Sequence, residues 1–131
     1  MEQFEVRTPS RSCMIEITSQ IGQIVAQSGI EDGICYVFIP HTTAGLTINE
    51  NADPTVQSDI LKELEKVVPW RDNYDHYEGN SAAHIKASVM GSGHFVLVSG
   101  RRLRLGTWQG IYLCEFDGPR QRKVWVQVVS G

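Results

Sequence analysis

Thr107-Trp108-Gln109-Gly110-Ile111-Tyr112-Leu113-Cys114-Glu115-Phe116, the turn Asp117-Gly118-Pro119, and Lys123-Val124-Trp125-Val126-Gln127-Val128-Val129 make up the stretch that decides the fold. β-branched and aromatic residues dominate both runs and Asp-Gly-Pro separates them, so the pattern predicts a strand, a reversal and a last strand. Working back, Phe95 to Val98 and Leu103 to Leu105 carry the same signature, which makes everything from Phe95 onward β. Ile34 to Pro40 is a continuous apolar run after the Asp32-Gly33 turn, as expected of a buried strand. Phe4 to Arg7 and Cys13 to Ile17 alternate apolar with polar residues across Thr8-Pro9-Ser10, either as a hairpin or as two consecutive strands.

Between these runs the period changes to that of helices. Ile21, Ile24 and Val25 recur between Thr18, read as the N-cap, and Gly29, a left-handed stop, predicting a helix over 18–28. Asp53-Pro54 opens a second helix, because aspartate caps free N–H groups and proline at the first position loses no hydrogen bond. Val56, Ile60, Leu61, Leu64, Val67 and Val68 mark its expected buried face, and Pro69 ends it. Trp70 to Gly79 reads as a loop. Ala82 to Met90 is helical up to Gly91-Ser92-Gly93, with Ile85 and Val89 on one face and His84, Ala87 and Ser88 on a neighbouring face of small residues. This order implies one α+β domain over 1–131: an antiparallel or mixed, sandwich-like sheet core with helices packed to one side. Trp125, Tyr112 and Ile111 read as apolar side chains on exposed strand faces that an oligomer interface would cover.

Composition narrows the function. A chain of 131 residues with a formal net charge of -3 lacks the broad basic footprint of a nucleic-acid binder. Cys13, Cys35 and Cys114 are far apart, form no Cys-x-x-Cys pair and fall in strand-like runs, so they are expected to be reduced and structural, as in a cytoplasmic protein. The N-terminus shows no apolar leader, and no run approaches the roughly 18 apolar residues of a membrane span. Neither a membrane nor a nucleic-acid partner is expected.

Chemistry concentrates in three segments. His41-Thr42-Thr43-Ala44-Gly45-Leu46-Thr47-Ile48-Asn49-Glu50 delivers an imidazole at the exit of a predicted strand and reads as a site loop. His76-Tyr77-Glu78-Gly79-Asn80-Ser81-Ala82-Ala83-His84 adds two imidazoles around a carboxylate. Leu105-Gly106-Thr107-Trp108-Gln109-Gly110 holds an indole and an amide between glycines. Imidazoles beside acids suit proton transfer or metal ligation, and a metal would be assembled from His41, His76 and His84 with Glu78 or Glu50. The alternative is that each ring is simply hydrogen-bonded at a loop end. Gly79-Asn80-Ser81 at a helix start suits an anion such as phosphate, or is an ordinary cap. Arg101-Arg102 with Arg104, and Arg120 with Arg122 and Lys123, either clamp phosphate or lie solvated at strand ends. Trp108 suits stacking on a heteroaromatic ring while Gln109 reads its edge, or it belongs to the core. Glu115 and Asp117 suit a cation or pair with Arg120.

Taken together, His-Thr-Thr-Ala-Gly with Asn49-Glu50 and Asp53-Pro54, Glu-Gly-Asn with His84 and Lys86, and Gly106-Thr-Trp-Gln followed by Glu-Phe-Asp-Gly-Pro-Arg resemble the YjbQ family, also called UPF0047, from about Cys13 to the last strand. The resemblance implies a small α+β protein forming a homotrimer. It also implies secondary thiamine-phosphate synthase activity, joining hydroxymethylpyrimidine pyrophosphate to thiazole phosphate with release of pyrophosphate. On the matching positions it implies catalytic roles for His41, His84 and Glu50. It assigns binding of a phosphorylated substrate to Asn80, Trp108, Gln109, Arg102 and Lys86, and a divalent ion, Mg or Zn, to His41, His76, Glu78 and His84. A non-catalytic trimeric binding module for a phosphorylated metabolite, or a metal-dependent phosphoester hydrolase, would use the same groups. Thiamine-phosphate synthases of the (β/α)₈ type need about 200 residues or more, so the activity here would be convergent.

Overall fold

The computed structural model describes residues 1–131. Its strands are β1 (Glu2–Arg7), β2 (Cys13–Glu16), β3 (Gly33–Phe38), β4 (Ala44–Glu50), β5 (Gly93–Ser99), β6 (Arg102–Leu103), β7 (Gln109–Glu115) and β8 (Gln121–Ser130); its helices are α1 (Thr18–Gln27), α2 (Pro54–Val67) and α3 (Ser81–Met90). Two antiparallel sheets result, one in the order β1-β8-β3-β5-β6 and one in the order β2-β7-β4. The first two strands do not make a hairpin: β1 pairs with β8 and β2 with β7, so the chain changes sheets at Thr8-Pro9-Ser10.

Alternation along the strands builds the core between the sheets. Val37, Val96, Val124 and Val126 of the large sheet meet Leu46, Ile111 and Leu113 of the small one, and Ile21 and Val25 of α1 join them. At about 0.8 kcal/mol per buried methylene, this contact between sheets is the main apolar stabilisation of the fold. The small sheet is buried on its other face as well, where Tyr112, Cys114 and Phe116 pack with Ala83 and Ala87 of α3 and with Leu61 and Leu64 of α2. Thus α2 and α3 cover one side, as the α+β reading expects, while α1 packs into the core between the sheets. The outer face of the large sheet carries no helix.

Several local expectations change. Ala44–Glu50 is a strand, not a loop, and pairs with β7 along its whole length. Leu46 and Ile48 turn toward the core, and Gly45 leaves room for α3, since a Cβ there would stand 2.8 Å from the Gly91 carbonyl oxygen and 3.0 Å from Met90 Cβ. The last long strand of the small sheet starts at Gln109, leaving Trp108 in a turn and exposed. Ile111 and Tyr112 are buried, because both faces of β7 are covered. Asp53 caps α2 as expected, accepting from Thr55 N at 2.9 Å. Thr18 does not cap α1: Ile17 holds that position, and Thr18 Oγ1 accepts from Ile111 N at 2.8 Å, tying the helix to β7. Val67 is exposed at the end of α2. On α3 the small residues face inward and Ile85 and Val89 outward, because only a small-residue face fits close against β4.

Candidate functional site

The site is built around a buried ion pair. β7 ends in Glu115 and β8 begins with Gln121-Arg122, and the Asp117-Gly118-Pro119 turn brings the two charges together inside the protein. Arg122 Nε donates to Glu115 Oε1 at 2.8 Å, and its Nη2 donates to Glu115 Oε2 and, at 2.8 Å, to Thr43 Oγ1. Glu115 also accepts from Thr8 Oγ1 at 2.7 Å and from the Asp117 amide at 2.9 Å. Burial alone would raise the Glu115 carboxyl, but the Arg122 bonds, with those from Asp117 and Thr8, outweigh it and hold the group below its ordinary value. This pair therefore ties the His41–Thr43 segment, the Asp117 turn and the β1 end into one rigid floor.

On that floor His41 has a fixed role. Its Nε2 accepts from the Lys123 amide at 2.9 Å, which places the ring proton of the neutral imidazole on Nδ1. Burial, then the charge of Arg122, pushes its pKa below the ordinary value, so the ring is neutral at pH 7. A neutral ring with a spent Nε2 and a proton on Nδ1 is a hydrogen-bond donor to the cleft, and it offers no free lone pair to a metal or a substrate proton.

The opposite wall comes from the loop after α2 and from the start of α3. His76 and His84 meet edge to face with ring centroids 5.5 Å apart, and Glu78 Oε2 stands 3.9 Å from His76 Nε2. Asn80 leaves the N-terminus of α3 without a side-chain cap, because its Nδ2 donates to Asp117 Oδ2 at 2.9 Å; its Oδ1 is buried and unpartnered. Arg120 Nη2 lies 3.1 Å from the same Asp117 oxygen. The two walls enclose an open cleft of about 640 Å³, lined by His41, Thr42 and Thr43, by His76, Glu78, Asn80 and His84, by Ser92 and Phe38, and by Asp117, Arg120 and Arg122. That volume is within the roughly 300–1,000 Å³ of small-molecule sites. His84 also lines two adjoining recesses, one with Tyr74 and Ser81 and one with Thr42, Ala87 and Ser88.

Of the residues singled out from the sequence, His41, His76, Glu78, Asn80 and His84 converge here, with Asp117, Arg120 and Arg122. Glu50, Trp108, Gln109, Lys86 and Arg102 lie elsewhere within the chain. Glu50 pairs with Gln109 at the far end of β4 and β7; at roughly 3.3 Å per residue this is about 20 Å from the His41 end. Trp108 projects from the turn beside it, and Gln109 Oε1 accepts from Gly106 N at 2.8 Å. Lys86 is buried beneath α3, with Nζ 2.5 Å from Glu65 Oε2, so it locks α3 to α2 and faces no cleft. Arg102 is on β6, opposite Ser99 at the other edge of the large sheet. Ser92 and Phe38 joined the cleft without being singled out as site residues. The signal for Arg120, Arg122 and Asp117 was that of charges flanking the last turn.

The donor set for a metal does not close within one chain. No three His, Cys, Asp or Glu side chains gather as a ligand group, and His41 has spent its Nε2. The three cysteines are free thiols; burial pushes Cys35 up to about 11 and Cys114 up to about 12, so these two are unreactive core residues. No helix is long and apolar enough to cross a membrane.

Residues 2–131 match the family model described as "UPF0047 protein YjbQ-like". UPF0047 protein YugU of Bacillus subtilis (strain 168) is 46% identical over 131 residues, covering 99% of each chain. A UPF0047 protein of Archaeoglobus fulgidus is 40% identical over 129 residues, covering 97% of this chain and 99% of its own. Among solved structures, a YjbQ/UPF0047 family protein of Clostridium acetobutylicum superposes with a TM-score of 0.97 at 52% identity, covering 98% of this chain and all of its own. A YbjQ-like protein of unknown function from Sulfolobus solfataricus gives 0.95 at 33% identity, covering 99% of this chain and 96% of its own.

Proposed function

The chain belongs to the YjbQ-like UPF0047 family, and on that premise we propose that its cleft binds a phosphorylated small molecule and transfers a heteroaromatic group from pyrophosphate, as a secondary thiamine-phosphate synthase does. The observation that carries this reading is the convergence of three imidazoles and two arginines at the uncapped N-terminus of α3. Such a cluster of donors suits the oxygens of a phosphate ester or pyrophosphate.

The chemistry asks for little proton transfer. In the joining step the carbon–oxygen bond to pyrophosphate breaks, the electron pair leaves with the oxygen, and the thiazole nitrogen forms the new carbon–nitrogen bond with its lone pair. The leaving group needs stabilisation more than the nucleophile needs a base. His41 suits this, since its Nδ1–H is a fixed donor. Arg120 adds positive charge, and His84, which lines the same cleft, is a second ring able to steady the departing oxygen. A divalent ion, Mg or Zn, expected from the sequence with His76, Glu78 and His84 among its ligands, meets no closed ligand set in the chain, so no step here runs through one. A homotrimer and a cytoplasmic, reducing setting belong to the same reading; the free thiols support the latter.

The test is to incubate the protein with hydroxymethylpyrimidine pyrophosphate and thiazole phosphate, with and without Mg²⁺, and to follow both thiamine phosphate and pyrophosphate. Turnover that disappears in His84→Ala supports the reading. Calorimetric binding of pyrophosphate without any turnover would leave the cleft as a non-catalytic binding module, and absence of binding would remove the phosphate site altogether.

A further inference from the structure

His41 and His84 border two spaces that differ in what they offer a ligand. On the side of the Asp117 turn, the main cleft carries full charges, with Arg120, Arg122, Glu78 and Asp117 on its walls and the uncapped start of α3 beside them. Beside the C-terminal half of α3 lies a recess of about 290 Å³, lined by His41, Thr42, His84, Ala87, Ser88 and Ser92, with no Arg, Lys, Asp or Glu among them. Three hydroxyls rim this recess. Ser88 Oγ donates to the His84 carbonyl at 2.9 Å, whereas the Thr42 and Ser92 hydroxyls bond to nothing in the chain.

We propose that this recess seats the ring of the ligand, a neutral, single, planar heterocycle with hydrogen-bond donors and acceptors on its edge, a substituted pyrimidine being the type, whose pyrophosphate reaches the Arg120 side of the cleft. A second phosphate gains nothing here, because it would exchange its water shell for hydroxyls without a compensating charge. A ring edge gains more. Each hydroxyl donates or accepts by rotating, so Thr42 and Ser92 can match a ring nitrogen or an N–H or O–H substituent. His41 adds a fixed donor, since its Nε2 accepts from the Lys123 amide and its proton is on Nδ1. The Ala87 methyl offers the ring face an apolar surface. At about 290 Å³ the recess is at the small end of the roughly 300–1,000 Å³ of ligand sites, which suits one ring.

Local helix geometry makes the space. Ala87 and Ser88 follow His84 by three and four residues, so they are its neighbours on the surface of α3, and both are short. A longer side chain at either position would fill the recess. Trp108, the residue the sequence offers for stacking, stands at the far end of the β4–β7 pair and faces no ring in this cleft. The inference rests on the functional reading above and adds which end of the cleft takes the ring.

The experiment is calorimetric titration without thiazole phosphate, so that no turnover intervenes, using three probes: inorganic pyrophosphate, hydroxymethylpyrimidine pyrophosphate, and benzyl pyrophosphate, whose ring has no polar edge. Wild type is expected to bind the pyrimidine compound about tenfold more tightly than either of the others, because a site built to hydrogen-bond a ring edge rejects a ring that lacks one. In the double variant Thr42→Val and Ser92→Ala, with its folding checked by thermal unfolding, that preference is expected to fall below about threefold. In Arg120→Gln all three affinities should fall together and the preference remain. Equal affinities of wild type for the pyrimidine and benzyl compounds, or a preference that survives the loss of both hydroxyls, would overturn the ring seat and leave the phosphate site standing. If no probe binds, the functional reading and the ring seat fall together.

Discussion

The two ends of the β4–β7 pair make the most instructive comparison in the molecule. At one end Ala44 lies opposite Glu115, and beside them a buried carboxylate–guanidinium pair fixes three loops around the cleft. At the other, Glu50 lies opposite Gln109, and the hydrogen bonds are at the surface: Glu16 accepts from Thr18 Oγ1 at 2.9 Å and from Asn51 Nδ2 at 3.2 Å, and Gln109 from Gly106 N at 2.8 Å. Both ends carry polar groups quoted from the same sequence motifs. Only the first has its charges out of water, where a fixed geometry can orient groups for chemistry.

The sharpest way to break this contrast is to remove one buried charge. Arg122→Ala leaves Glu115 buried without its partner and is expected to cost about 3–5 kcal/mol in urea unfolding, whereas Glu16→Ala at the far end should cost less than about 1 kcal/mol. Equal losses would show that the cleft end is no more rigidly built than the surface end.

A matched pair of glycines sharpens it further. At Gly45 an added methyl meets the Gly91 carbonyl and Met90 Cβ, so Gly45→Ala must move α3 and is expected to cost about 1–3 kcal/mol. At Gly110 the nearest atom is Glu16 Oε2 at 2.6 Å, the movable end of an exposed side chain, with Asn51 Cβ at 2.8 Å behind it. The carboxylate can swing away but Asn51 Cβ cannot, so Gly110→Ala is expected to cost a similar amount, and only Gly45→Ala should also lower pyrophosphate affinity, because α3 carries His84.

His84→Ala is expected to change the melting temperature little and to lower pyrophosphate affinity at least tenfold. The ring borders open space on three sides and makes no side-chain hydrogen bond that its loss would orphan. A clear fall in melting temperature with unchanged binding would assign His84 to packing instead.

The smallest effect concerns pH. The pKa of His41 is lowered in the folded state, so folding favours its neutral form; that contribution is complete above the unfolded value near 6.5 and is lost as pH falls toward the folded one. Wild type should lose stability as pH falls below about 6.5, and His41→Gln should flatten that slope. Glu115, also lowered, adds a separate loss below about pH 4.5, as the carboxylate is protonated away from Arg122. An unchanged slope in His41→Gln would mean that other groups govern the acid side.

The sequence by itself determined the class of fold, the strand after Asp32-Gly33 and the Asp53 cap, because periodicity, caps and turns are local chemistry. It also carried the family motifs. Ala44–Glu50 reads from sequence as a loop, although Leu46 and Ile48 alternate with Thr47, because the polar residues around them outweigh a short apolar pattern. Only the tertiary structure decided which motif residues meet. A seven-residue strand carries Glu50 away from His41, burial against α2 turns Lys86 into a structural tie, and pairing across the Asp117-Gly118-Pro119 turn puts Arg122 beneath the site. Those outcomes depend on strand register and sheet order, contacts between residues far apart in the chain that no short window of sequence contains.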